Sequence, residues 1–180
     1  MKKIFATTLI AGTVLAGFSN MAMADGGSVH LHALVQANSC TVSNDTRDMT
    51  VDMGTIARGT LTGKGSESAR VPFTIKLVDC PAATTSVGFT TAGATHGTAD
   101  SDDSTLYKLD DASLAKGVGI AIYDAASAGA KILPNSAATA TYPVTSGAAN
   151  INLSASVVQS SDTLIGGDFS AVTGFSIVYN

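Results

Sequence analysis

Residues 71–80 read VPFTIKLVDC. Phe73, Ile75 and Leu77 fall on one face of an extended segment and Thr74 and Lys76 on the other, which is the spacing of a strand with one buried and one wet side. The same alternation recurs along the chain. It is present in NINLSASVV (150–158), where Ile151, Leu153 and Ala155 oppose Asn152 and Ser154, and in FSIVYN (175–180). Further short runs rich in β-formers are TVDMG (50–54), SVGFTT (86–91), LYKL (106–109), VGIAIYD (118–124) and ATYPV (140–144). Gly, Ser, Asn, Asp and Thr separate them, and no stretch of eleven or more residues holds a helical period. STLYKLDDASLAKG (104–117) has room for one helical turn. The pattern predicts an all-β antiparallel sandwich.

The strand at 71–80 ends on Cys80, and the chain has one other cysteine, Cys40. Its amino terminus explains the pair. MKK is a short basic segment, IFATTLIAGTVLAGF (4–18) is an apolar run of 15 residues, and SNMAMA ends in the small residues Ala22 and Ala24. That is a secretory signal peptide over residues 1–24, too short to span a bilayer as an anchor. Export to an oxidising space makes an even pair of cysteines a disulfide. Closing a loop of about 40 residues stabilises the fold by roughly 4 kcal/mol in the chain-entropy model. Cleavage after Ala24 leaves 156 of the 180 residues, one domain with a real core. It also removes Lys2 and Lys3, leaving eight basic against fourteen acidic residues, a net charge of −6. Nucleic acid and anionic membranes, which need a basic footprint, are not expected partners.

Candidate chemistry is sparse. His30 and His32 lie two apart on an extended segment and point the same way, but no third metal ligand is near them in sequence. DSDDS (100–104) crowds three carboxylates without the glycine and closing glutamate of a calcium loop, so it reads as a solvated turn. There is no G-x-S-x-G, no H-E-x-x-H and no phosphate-binding glycine loop, so no enzyme, cofactor or small-molecule substrate is expected. Asn44 and Asn152 begin formal N-x-S/T sequons. GTIARGTLTGKGSESAR (54–70) and TAGATHGTADSDDST (91–105) read as surface connections that lack the aromatic residues of a sugar or peptide site.

The two ends of the mature chain are the unusual parts. In SVHLHALVQ (28–36), Val29, Leu31, Ala33 and Val35 share one face, with almost nothing before them. This is either the first strand of its own sheet or an arm meant for another chain. At the other end Phe175, Ile177 and Tyr179 share a face. A terminal strand needs partners for its backbone N–H and C=O groups, and an open edge beside a core is an aggregation hazard.

Taken together, the signal peptide, the arm GGSVHLHALVQANSC (26–40), VDMG, VPFTIKLVDCP, GVGIAIYD, Gly167 fourteen from the end and the penultimate Tyr179 resemble the pilin subunits of chaperone–usher fimbriae of the type 1 kind. The resemblance covers the whole chain. It implies an incomplete immunoglobulin-like sandwich lacking its last strand, with residues 1–24 a signal peptide, 25–39 a donor-strand extension and 40–180 the pilin domain. A periplasmic chaperone first lends a strand to the open groove. At the outer-membrane usher the arm of the next subunit replaces it, giving a head-to-tail surface fibre that supports adhesion. Carried onto this chain, Gly27, Val29, Leu31, Ala33 and Val35 would fill a neighbour's groove. Phe175, Ile177 and Tyr179 would line the acceptor edge, and the carboxylate of Asn180 would meet the chaperone. Family arms usually carry glycine where this one has Ala33. The short arm would also suit a minor or adaptor subunit, and the competing class is a self-contained secreted β-sandwich that binds through its loops.

Overall fold

The computed structural model describes residues 39–93, 103–136 and 140–179, which belong to one compact unit. The signal peptide, the arm residues Gly27, Val29, Leu31, Ala33 and Val35, the histidines within the arm, most of DSDDS and Asn180 lie outside the described residues. The elements are β1 (Thr41–Val42), α1 (Asn44–Arg47), a 3-10 turn (Arg58–Thr60), β2 (Val71–Val78), β3 (Ser86–Gly93), β4 (Val118–Asp124), β5 (Ala130–Ile132), β6 (Tyr142–Pro143), β7 (Ala149–Gln159) and β8 (Thr173–Tyr179). They form two sheets, β1-β2-β7-β4-β5 and β6-β3-β8, in which every ladder is antiparallel.

Side-chain alternation puts the core between the sheets. Ile75 and Leu77 of β2, Ile151 and Leu153 of β7, and Ile122 of β4 pack against Val87 and Phe89 of β3 and Tyr142 of β6. A second cluster, Leu61, Leu109, Ala115, Val118 and Val157, continues the core toward the end where β8 begins. Cys40 and Cys80 form the disulfide at the opposite end, where β2 and β8 finish.

Three local outcomes differ from the sequence expectation. TVDMG forms no ladder: the Asp52 carboxylate accepts the Gly54 N–H at 2.8 Å and the backbone turns at Gly54, where φ is +63°, leaving Met53 half-buried against the second cluster. LYKL contributes a single bridge, Tyr107 to Ile120, because its segment crosses the edge of β4. Its Leu106 then covers Ala121, Tyr123 and Val158 on the outer side of the larger sheet, so β4 is buried on both faces and does not alternate. The turn allowed for in 104–117 is not helical. The one-turn helix is instead α1, where the Ser43 hydroxyl bonds the Asp45 carboxylate and Lys76 pairs with that carboxylate at 2.9 Å.

A buried polar contact ties the two sheets together. The Tyr142 hydroxyl in β6 donates to Asp124 Oδ1 at the end of β4 at 2.5 Å, and the Ala126 N–H donates to the same oxygen at 2.8 Å. Burial, and then the neighbouring carboxylate, push the Tyr142 hydroxyl well above its ordinary pKa, so it remains a donor. Tyr142→Phe removes that donor from a carboxylate that is 1% exposed. We expect a loss of roughly 1 to 3 kcal/mol in denaturant unfolding, with the strand content of the native state unchanged.

Candidate strand-acceptor groove

Among the described residues, β8 lies at the edge of its sheet. On one side β8 pairs with β3 in continuous register from Val87–Tyr179 to Gly93–Thr173. On its other side no strand pairs with it among the described residues. The inward row shows the consequence. On β3, Val87 and Phe89 are 0% and 2% exposed, yet their partners across the ladder are Tyr179, which is 36% exposed, and Ile177, which is only half-buried. Phe175 and Ile177 touch the core without being covered by it, and Phe175 meets Phe89 ring to ring at 6.5 Å. An inward row on a completed sheet would be as buried as that of β3.

The opposite wall is formed by the edge of the larger sheet. Its edge strand β1 has two residues and pairs only with Val78 and Leu77, so the stretch of β2 from Val71 to Ile75 has no strand on its outer edge among the described residues. Val42 and Phe73 on this wall are half-buried against the same core cluster as Phe175 and Ile177. Between the walls lies a groove of about 630 Å³, lined by Cys40, Thr41 and Val42 on one side and Val172, Thr173, Gly174 and Phe175 on the other, with Arg47 and Asp48 also in its lining. Half-buried Met53, Ile56, Leu164 and Phe169 continue the apolar surface beyond the start of β8.

The groove has one closed and one open end. At the closed end the Tyr179 hydroxyl donates to the Cys40 carbonyl at 3.3 Å, a bond that joins the end of β8 to the residue before β1. The disulfide holds the same residue to Cys80, with Cα atoms 4.1 Å apart. At the open end Val172 stands 80% exposed.

Phe175, Ile177 and Tyr179 therefore share the unpaired edge strand. Val42, Phe73, Val172 and the Arg47–Asp48 corner went unrecognised in the sequence. A two-residue strand carries no periodicity, and alternation shows that Phe73 faces inward but not that it borders a gap.

The described residues hold no group of three or more His, Cys, Asp or Glu that could bind a metal, and no helix long and apolar enough to cross a membrane. The ion pairs join surface groups: Arg70–Glu67 and Lys76–Asp45 at 2.9 Å, and Lys108–Asp111 at 2.6 Å. Partial burial alone would raise the Glu67 carboxyl, but hydrogen bonds from Arg70 and Tyr123 outweigh it and hold the group below its ordinary value. Arg70 also stacks over the Tyr123 ring at 3.4 Å, so the cluster is satisfied within itself.

The comparisons with known proteins agree with this architecture. The chain is 29% identical over 184 residues to long polar fimbria protein A of Salmonella typhimurium, a match covering 99% of this chain and 97% of that protein. It is 35% identical over 132 residues to the probable major fimbrial subunit LpfA of Escherichia coli O157:H7, covering 69% of this chain and 68% of that one. Among solved structures, a chaperone–usher pilus whose structure explains rod uncoiling superposes with a TM-score of 0.64 at 20% identity, covering 97% of this chain and all of that one. The fold is thus the immunoglobulin-like pilin sandwich. The family model described as fimbrial protein matches residues 28–180, and the chain belongs to that family.

Proposed function

We propose that this chain is a non-catalytic structural subunit of a chaperone–usher fimbria, exported through the periplasm and assembled at the cell surface by strand exchange. The observation that carries the reading is the half-exposed inward row of β8 beside an unpaired edge. A backbone edge of this kind offers N–H and C=O groups to any extended segment, and the alternate apolar positions select which segment fits.

The arm has the right length and pattern. Gly27 to Val35 would span about 26 Å at roughly 3.3 Å per residue, against about 33 Å from Phe169 to Tyr179. Val29, Leu31 and Val35 supply large apolar groups, and Ala33 requires slightly more room than the glycine usual in the family. Every ladder in the two sheets is antiparallel, and the bond from Tyr179 to Cys40 closes one end. The arm therefore runs antiparallel to β8, with Gly27 at the closed end and its trailing end, which must continue into the body of its own subunit, leaving by the open one. Before assembly the same groove suits a strand lent by the periplasmic chaperone, with the carboxylate of Asn180 beside it. The outer-membrane usher is the expected site of the exchange.

The test is complementation. Secreted without a chaperone, the mature chain aggregates or is degraded. Supplied during refolding with a synthetic peptide of residues 25–38, it is recovered as a stable monomeric complex, read by light scattering and thermal unfolding. A chain that is monomeric and reversibly foldable without any peptide, with an unfolding temperature unmoved by it, would favour the self-contained sandwich.

A further inference from the structure

We infer that Tyr142, on the strand of its sheet farthest from the groove, is a positioning residue for strand acceptance: its bond to Asp124 fixes the sideways seat of the smaller sheet, and with it the distance from β8 to the opposite wall. This rests on the strand-exchange reading. Tyr142, Val87 and Tyr179 are successive partners across β6, β3 and β8, so they form one transverse row. Each end of that row is tied to the larger sheet through a phenol hydroxyl. Tyr142 donates to Asp124 at the end of β4 at 2.5 Å, and Tyr179 donates to the carbonyl of Cys40, the residue before β1, at 3.3 Å. In the larger sheet β2 and β7 lie between β1 and β4, so the two ties hold opposite flanks of the smaller sheet.

Between those flanks the sheets meet through apolar contacts, Val87 and Phe89 against Ile75, Leu77, Ile151 and Leu153. Such contacts keep two sheets in touch but resist sideways slip weakly, because hydrophobic burial has no direction. A hydrogen bond has one. The two ties are also unequal. Tyr179 holds to a carbonyl beside a strand of only two residues. Asp124 is a firmer anchor: it is 1% exposed, and the same oxygen accepts the Ala126 N–H of the β4–β5 turn at 2.8 Å. The β6 flank is fastened again at the other end of β3, where the Thr91 N–H and hydroxyl donate to the carbonyls of Ser136 and Leu133, each at 3.0 Å, in the segment that leaves β5. The seat of the smaller sheet is therefore set on the side away from the groove. The β3–β8 ladder, continuous from Val87–Tyr179 to Gly93–Thr173, carries that setting across to the groove wall. Without the Tyr142 hydroxyl the closed end of the groove keeps only the weaker tie, and a seated strand loses contact as the sheet slips.

The test measures release of a labelled 25–38 peptide from the refolded mature chain, chased with unlabelled peptide under conditions where the body stays folded. Tyr142→Phe is expected to release the peptide about tenfold faster, the equivalent of one hydrogen bond. Leu106→Ala is the control. Leu106 is fully buried on the outer side of the larger sheet, away from both ties. Its truncation costs the fold at least as much, yet release should stay within about twofold of the parent rate. Asp124→Asn keeps an oxygen for Tyr142 but removes the charge from the bond, so its release rate should fall between the parent and Tyr142→Phe; it carries the test should Tyr142→Phe not refold. Release at the parent rate from Tyr142→Phe, or from Asp124→Asn in its place, overturns the positioning role and leaves strand exchange standing. Equal acceleration by Leu106→Ala also overturns it, since the effect would then be one of stability alone. Failure of the parent chain to take up the peptide overturns both readings.

Discussion

Deleting residues 25–35 abolishes head-to-tail polymerisation while leaving the body folded and able to accept a strand. The expectation follows from where the covered and uncovered surfaces lie. Strands β2, β7 and β4 bury Ile75, Leu77, Ile151, Leu153 and Ile122 against β3, and that core is held by ladders among residues 71–159 and by the β3–β8 ladder. On the strand-exchange reading the groove belongs to the acceptor, and the deletion would remove only what the chain donates. On that reading, burial of Val29, Leu31 and Val35 would contribute about 1.5 to 3 kcal/mol each before ordering costs, so losing all three would leave no stable junction. The measurement is the ladder of assembled species on a gel without heating, alongside binding of the 25–38 peptide to the deleted chain. Polymers are expected to vanish and peptide binding to persist. A deleted chain that unfolds, or no longer takes up the peptide, would show that these residues complete their own sheet. Leu31→Asp is the milder version and should act in the same direction, since it places a carboxylate in an apolar groove.

Replacing both cysteines by serine should cost roughly 4 kcal/mol of stability in the filled state and a larger fraction of strand acceptance. The first effect is chain entropy: the bridge spans a sequence separation of 40. The second is local. Cys40 precedes the two-residue β1, whose register with β2 consists of Thr41–Val78 and Val42–Leu77, and it supplies the carbonyl that Tyr179 bonds. So short a strand cannot hold its place by ladder bonds alone, and Val42 with it forms one wall of the groove. Without the bridge the wall frays. The double variant complexed with peptide should unfold at lower denaturant, and its peptide affinity should fall more than that of Tyr179→Phe, which removes one hydrogen bond. A double variant that binds peptide as tightly as the parent would show that β1 is held without the disulfide.

Much of this architecture was legible in the chain because burial on one face of a strand forces a two-residue period. That period marked β2, β3, β7 and β8 closely, and secretion signals made the cysteine pair a bridge. The short elements β1 and β5 carry too few residues to show a period. β4 escaped the one-sided pattern because Leu106 comes back over its outer face, a contact that depends on a chain reversal far from β4 in sequence.

The order of residues by itself determined an exported, disulfide-bonded β-sandwich with two edge-like ends, since period, composition and cleavage signals are properties of local sequence. Only the tertiary structure decided that β8 has no strand on its outer edge among the described residues, that Val42 lines the groove beside it, and that Tyr179 closes one end of the gap. Alternation reports which way a side chain points. Whether another strand lies there to cover it depends on how distant segments pair.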